Sequence, residues 1–256
     1  MVKGLYTAYT GMINEQNRMD VLTNNLANAS TVGFKKEGAT SQAFDEVLAL
    51  KIKDTTDASQ ARPLGHISMG VKIGETYTDY SQGSLRETGN TFDIALSGTG
   101  FFTVEFTNKA KETSTKYTRD GSFTLNKEGY LVTKDGDYVL GKNGRIKLDS
   151  LQNTVIDKMG NIYQNEKLVE TLRITDFTDY NYLEHYGENY YQTIDGAKEK
   201  TGDYQVLSGY LEMSNMQVVK EMVEMISISR AYETNQKIVQ AYDSTLDIAA
   251  NQLGKI

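Results

Sequence analysis

Residues 211–253 read LEMSNMQVVKEMVEMISISRAYETNQKIVQAYDSTLDIAANQL, and in them Leu211, Val218, Met225, Tyr232, Val239, Leu246 and Leu253 recur every seven positions. A strict seven-residue apolar repeat is what keeps one stripe of a helix against another helix. The spacing predicts a helix over 214–253, roughly 40 residues or about 60 Å at 1.5 Å per residue. Ser214 or Asn215 is suited to cap its start. Each stripe side chain contributes on the order of 1.5–3 kcal/mol if fully buried. Ser229, Gln236 and Asp243 fall beside the stripe at the same spacing. Polar residues there favour a many-helix environment over a simple two-helix seam.

The other end of the chain repeats the device. Leu5, Met12, Met19 and Leu26 are seven apart, and Ala8, Leu22 and Ala29 follow stripe members by three. That pattern predicts an amphipathic helix over 3–29, ending near Ala29-Ser30-Thr31 before Gly33. Glu15 interrupts it, so a regular dimeric coiled coil is not indicated. Neither stripe can be buried by its own helix. The available partners are the opposite end of the same chain and the ends of neighbouring copies, which favours assembly over catalysis. Met12, Met19, Met222 and Met225 suit such seams, because methionine adapts to non-identical neighbours.

Composition narrows the classes. With 256 residues the chain is long enough for one or two domains with a real core. Its net charge of -7 leaves no basic face, which argues against nucleic acid as a partner. Absence of cysteine removes disulfides, thiolate metal sites and cysteine nucleophiles together. No apolar run approaches the roughly 18 residues of a membrane span. The start MVKGLYTAY lacks the apolar core of a cleavable signal, so export would need another route.

Between the helices the pattern changes. Residues 51–68, KIKDTTDASQARPLGHIS, are polar, lack periodicity and hold the only proline, Pro63, which predicts a loop or a segment ordered by its neighbours. From about 70 to 207 the period is two. Phe92, Ile94 and Leu96 alternate, Gly98-Thr99-Gly100 breaks the run, and Phe101-Phe102-Thr103-Val104 follows. Asp120-Gly121, Asp135-Gly136, Asn143-Gly144 and Gly160-Asn161 are closely spaced turn signals. These indicate an all-β domain, with sandwich, barrel and irregular sheet all open. Tyr180, Tyr182, Tyr186, Tyr190 and Tyr191 are expected to cover the core edge with their hydroxyls in water.

Catalytic signals are sparse. His66 and His185 are the only histidines, and a lone histidine is far more often a surface residue than a base or ligand. Asp135-Gly136-Asp137 lacks the later ligands of a calcium loop. Gly98-Thr99-Gly100 lacks the third glycine and the following helix of a dinucleotide loop. Glu184 and Glu188 are a conceivable carboxylate pair for glycan cleavage, with nothing else in the sequence to support them. No cofactor, metal or catalytic residue is expected.

The most specific stretch is Leu22-Thr23-Asn24-Asn25-Leu26-Ala27-Asn28-Ala29-Ser30-Thr31-Val32-Gly33-Phe34-Lys35. Asparagine is a mediocre helix former, yet three occur within five positions. They either hydrogen-bond across packed helices or fray and cap a helix end. The stretch resembles the N-terminal motif N-N-x-A-N-x-x-T-x-G-F/Y-K/R of the bacterial flagellar rod and hook proteins, matched by Asn24, Asn25, Ala27, Asn28, Thr31, Gly33, Phe34 and Lys35. Thr88-Gly89-Asn90-Thr91-Phe92-Asp93-Ile94-Ala95-Leu96 and the glycines and phenylalanines after it resemble the family's T-G-N-P-x-D-V-A-I-x-G-x-G-F-F, with Thr91 in place of proline. Tyr117-Thr118-Arg119-Asp120-Gly121-Ser122-Phe123 is a full match to its Y-T-R-D-G-S-F. Gly209, Leu211, Glu212, Ser214 and Asn215 resemble Q-G-x-L-E-x-S-N, with Ser208 where glutamine is usual. Glu221-Met222-Val223, Met225-Ile226 and Arg230-Ala231-Tyr232-Glu233 then follow in family order.

The resemblance implies a structural subunit of the flagellar basal-body rod, of the larger kind with one central domain. The expected fold class is α+β, with N- and C-terminal α-helices forming a split helical domain around a central all-β domain. Expected segments are a helix in 1–32, an extended linker in 33–69, the β domain in 70–207 and the long helix in 208–256. Expected assembly residues are Leu5, Met12, Met19, Leu22, Asn24, Asn25, Leu26, Asn28 and Phe34, with Val218, Met222, Met225, Tyr232, Val239, Leu246 and Leu253 from the C-terminal helix. Implied partners are further copies in a helical homo-oligomer, other rod and hook proteins, and the flagellar type III export apparatus. No nucleic acid and no transmembrane segment are expected. The rival readings are a cell-wall glycan-acting enzyme and a secreted binding module, each merely dimerised by its helices.

Overall fold

The computed structural model describes residues 2–51, 62–108, 112–187 and 189–251. A helix at each end flanks a β-rich region, so the chain is α+β. Two compact units divide it, one within Met1–Ala27, Glu37–Asp79 and Gln217–Ile256, the other Asn28–Lys36 with Tyr80–Met216.

The first unit contains both helices, α1 (Val2–Ala27) and α2 (Val218–Asn251). They pack against each other antiparallel. Gly4 lies under the Tyr242 ring and Gly11 under the Asn235 carboxamide, while Arg18 pairs with Glu224 at 3.2 Å. A side chain at Gly4 would collide with the tyrosine hydroxyl. Both glycines therefore permit close approach at seven-residue spacing, opposite two α2 residues that are themselves seven apart.

Helix α2 starts later than the apolar repeat suggests, and Leu211 lies in the strand Tyr210–Glu212. Ser214 and Asn215 are engaged elsewhere. The Ser214 hydroxyl accepts from the Met216 N–H at 3.4 Å, and the Asn215 side chain accepts from the Lys36 N–H at 2.9 Å and donates to Ser81 Oγ at 3.0 Å. The Glu221 N–H instead donates to the Gln217 carbonyl at 3.1 Å, which makes Gln217 the residue that opens the helix.

The segment expected as a linker, 33–69, carries strands. β1 (Glu37–Ala43) pairs antiparallel with β4 (Val71–Thr78), and β2 (Val47–Lys51) with β3 (Arg62–Ile67), so Arg62–Ile67 is not loop. Residues 52–61 of the polar stretch lie outside the described residues. β1 and β4 pack on α1, with Asn14 Nδ2 donating to Ser41 Oγ at 3.0 Å and Gly70 closed down on Thr10. β1 reads EGATSQA, too short of large apolar side chains for alternation to show. β4 groups with the helices, so the second unit's β region begins at Tyr80 and not at 70.

The second unit is antiparallel throughout its described strand pairs. Its ten-stranded sheet is ordered around β7, and smaller sheets pair β5 (Leu85–Glu87) with Tyr210–Glu212 and β6 (Ile94–Gly98) with Tyr204–Ser208. β7 (Phe101–Thr107) pairs with β8 (Thr113–Thr118) on one side, and with Ile174–Phe177 and then Tyr138–Gly141 on the other. Successive side chains of a strand point to opposite faces. Phe102 and Val104 thus enter a core with Ile94, Leu131 and Ile162, while Phe101 enters a second with Tyr117, Phe177 and Tyr191. Adjacent phenylalanines are needed because β7 has a core on each face.

Three of the five tyrosines depart from expectation, whereas Tyr182 and Tyr186 are exposed. Tyr191 is buried, the Tyr180 hydroxyl donates to Asp176 at 2.8 Å, and the Tyr190 hydroxyl donates to Asp137 at 2.9 Å. Burial, and then the Asp176 hydrogen bond, push the Tyr180 phenol up to about 12. His185 is partly buried against the Tyr191 ring, 5.3 Å between centroids, whereas His66 is exposed.

A Gly11→Leu variant tests the close approach of the helices. Leucine is the better helix former by about 0.8 kcal/mol, but overpacking against Asn235 costs about 1–3 kcal/mol. The expected result is net loss of helical ellipticity and a lower melting temperature by circular dichroism.

Candidate functional site

Two features stand out as functional candidates, the helix pair and a buried ion cluster in the second unit. In the helix pair Leu5, Met12, Met19 and Leu26 are each half-buried, and Leu22 is buried with Ala8. Met225, Tyr232 and Val239 are half-buried on α2, whereas Val218, Met222 and Leu246 are exposed and Leu253 lies outside the described residues. The best-buried α2 positions are Ile228, 3% exposed, and Glu221, 4% exposed. They belong to a second column at seven-residue spacing, Glu221, Ile228, Asn235, Tyr242 and Ala249. Sequence reading set Ser229, Gln236 and Asp243 beside the stripe and missed this column, because polar and small residues mask its period. The signal that would have found it is Gly4 and Gly11, seven apart on the opposite helix.

The asparagine-rich stretch divides its work. Asn25 is fully buried, and its carboxamide grips Glu37 twice: Nδ2 donates to the Glu37 carbonyl at 2.7 Å, and Oδ1 accepts from the Glu37 N–H at 2.9 Å. The partner is the start of β1, not another helix. Asn28 Oδ1 accepts from the Thr31 hydroxyl at 3.0 Å, tightening the turn after α1, and Asn24 is exposed. Phe34 is buried in the second unit. Gly33 has φ +72 and lies against the Arg119–Asp120 backbone, so any side chain there meets both strain and a collision.

Next to it is the ion cluster. Glu212 is 1% exposed, and its carboxylate takes Lys35 Nζ at 2.5 Å, Arg119 Nη1 at 3.1 Å and the Gly83 N–H at 2.9 Å. Lys35 also donates to the Ser81 carbonyl and Arg119 to the Gly98 carbonyl, each at 2.8 Å. The Gly33 N–H donates to the Glu212 carbonyl at 2.8 Å. The three charged residues come from three separate sequence motifs, and all three are buried. Sequence reading treated these charges as motif members and did not place them together.

Beside the cluster, burial raises the Asp120 carboxyl above its ordinary range despite hydrogen bonds from Ser122. Of the carboxylate pair considered for glycan cleavage, Glu184 is exposed and accepts from Gln192 at 2.8 Å, and Glu188 lies outside the described residues. Among the described residues no three His, Asp or Glu side chains converge to hold a metal, and no helix is long and apolar enough to cross a membrane.

Comparison with known proteins converges on one group. Residues 5–35 match the family described as flagella basal body rod protein, residues 95–164 the flagellar hook protein FlgE/F/G D1 domain, and residues 207–253 the flagellar basal body rod FlgEFG protein C-terminal family. The chain is 32% identical over 272 residues to the flagellar hook-basal body complex protein FlhO of Bacillus subtilis, covering all of both chains. It is 33% identical over 268 residues to the flagellar basal-body rod protein FlgG of Borreliella burgdorferi, covering 98% of each. Against the flagellar basal-body rod protein FlgF of Caulobacter vibrioides it is 34% identical over 265 residues, again covering all of both.

Two outcomes follow from the cluster. Glu212→Gln leaves two buried cations without their counter-charge and is expected to cost about 3–5 kcal/mol in denaturant unfolding. Asp120→Asn acts through pH. The folded carboxyl holds its proton to higher pH than the unfolded one, so between the ordinary and the raised value stability falls as pH rises. The asparagine variant should lack that part of the slope in unfolding measured across mildly acidic pH.

Proposed function

This chain belongs to the flagellar basal-body rod protein family, a structural and not an enzymatic family, and from that premise we propose how its parts serve the rod. Its place is the flagellar basal body, and its role is that of a structural rod subunit that self-assembles alongside other rod and hook proteins.

The finer reading is that the terminal helices act as one split helical domain. Copies of it would build the inner wall of a helical tube, and the tube would transmit torque from motor to hook. The observation that carries this reading is the register of the helix pair: Gly4 on Tyr242, Gly11 on Asn235 and Arg18 on Glu224 join opposite ends of the chain. Leu5, Met12, Met19, Leu22, Leu26, Met225, Tyr232 and Val239 then serve assembly indirectly, by holding the pair that neighbours recognise. Val218, Met222 and Leu246, being exposed, are available for direct contact. Asn25 fixes β1 to the end of α1, Asn28 tightens the turn after α1, and Phe34 is buried in the second unit. Delivery by the flagellar type III export apparatus rests on the family resemblance alone.

Met225→Asp or Val239→Asp places a charge in the half-buried seam. Either variant is expected to cut incorporation into basal bodies at least tenfold, measured by immunoblot of purified basal bodies. Near-ultraviolet circular dichroism of the tyrosine-rich β unit should stay unchanged. Normal rods built from either variant would sink the seam assignment.

A further inference from the structure

The seam between α1 and α2 leaves two apolar surfaces bare. On α1, Tyr6, Tyr9 and Ile13 are 46%, 51% and 38% exposed, spaced three and four apart on one outward stripe. On α2, Val219, Met222, Val223 and Ile226 are 76%, 49%, 62% and 53% exposed, also at helical spacing, and a groove opens beside them between Gln217 and Ser227. The two surfaces lie at opposite ends of the pair. Gly11 faces Asn235, so the tyrosine stripe lies level with the 230s of α2, about 20 Å along the axis from Val223.

We propose that these surfaces are the two halves of one contact, in which Tyr6, Tyr9 and Ile13 of one copy pack on the exposed α2 face at Val219, Val223 and Ile226 of the next. The proposal rests on the rod-subunit reading and specifies its partner surface, a second copy of this chain. Chemistry favours the match. One half is aromatic; the other is aliphatic, with Lys220 at its margin to face a tyrosine ring. The two halves are different surfaces, so a contact between them is head-to-tail. A head-to-tail contact that does not close generates an open filament, whereas a two-fold contact would stop at a dimer.

Area supports the same conclusion. From their fractional exposures the α2 surface presents on the order of 400 Å² of apolar side chain, the size of a functional patch, and the α1 stripe about 250 Å². One such contact buries about half of the roughly 1,600 Å² typical of a stable pair. Two free copies therefore do not stay together. A copy joining a growing end, where lateral neighbours add area, does.

The chain has no cysteine, so engineered pairs report unambiguously. In basal bodies built from full-length Tyr9→Cys/Val223→Cys protein, mild oxidation is expected to give a ladder of disulfide-linked multimers. An equal mixture of the two single variants should give linked dimers and no ladder, and each single variant alone should give no linkage. Tyr9→Lys should reduce incorporation at least tenfold, with recovery on adding Val223→Glu. Helical ellipticity of the free variants serves as the folding check. Assembled rods without the 9–223 linkage would overturn the proposal while leaving the rod-subunit reading intact. Linkage of Val223→Cys to itself, or to a different protein, would do the same. Failure of the unmodified chain to enter basal bodies would instead overturn the reading itself.

Discussion

The Glu212 carboxylate is the interaction on which the second unit depends. It receives Lys35, 177 positions away in the chain, and Arg119, 93 positions away, in a site from which water is excluded. Charges taken out of water cost several kcal/mol each unless paired and hydrogen-bonded. Here part of the cost is offset: carbonyls of Ser81 and Gly98 each take a further donor, and the Gly83 N–H donates to the carboxylate. Within the cluster, Arg119 Nε is buried without a partner. The cluster gains specificity from this arrangement more than raw stability. Apolar residues of similar volume would pack as well, but they would not require these three segments and no others to meet.

That dependence explains why three short motifs, far apart in the chain, carry so much of the family resemblance. The lysine at the end of the asparagine-rich stretch, the arginine of Y-T-R-D-G-S-F and the glutamate of L-E-x-S-N are members of one group. The glycine two residues before Lys35 is dictated by the same site, since the backbone of Arg119 and Asp120 leaves no room for a side chain. The paired phenylalanines of β7 have a separate origin, one for each of two cores. Motif residues that looked interchangeable in the sequence thus have distinct physical reasons.

Legibility varied with the kind of pattern. Val218, Met225, Tyr232 and Val239 announced α2 because large apolar residues at fixed spacing are hard to produce by chance. Its second column, with Glu221, Asn235 and Ala249, did not, since burial there depends on what α1 presents. Leu211 fell on the repeat yet lies in a strand, because a single apolar residue in phase says nothing about where the helix begins. β1 was hidden by small polar side chains, and β4 was assigned to the wrong unit because period two reports a strand and not its partner. The buried cluster is illegible for a simpler reason: lysine, arginine and glutamate are nearly always at the surface, and only the folded chain reveals three that are not. Tyr180 and Tyr190 differ from expectation in the same way, since a hydroxyl that binds Asp176 or Asp137 leaves no mark on the sequence.

The glycines of α1 have a mechanical consequence. Glycine normally softens a helix, but Gly4 and Gly11 work as notches into which Tyr242 and Asn235 of α2 are set. Sliding one helix past the other by a turn, about 5.4 Å, would lift both side chains out of their notches at once. The pair therefore resists shear in discrete steps and not by gradual creep. Under fluctuating load, a keyway of this kind returns the two helices of a subunit to the same register after every excursion.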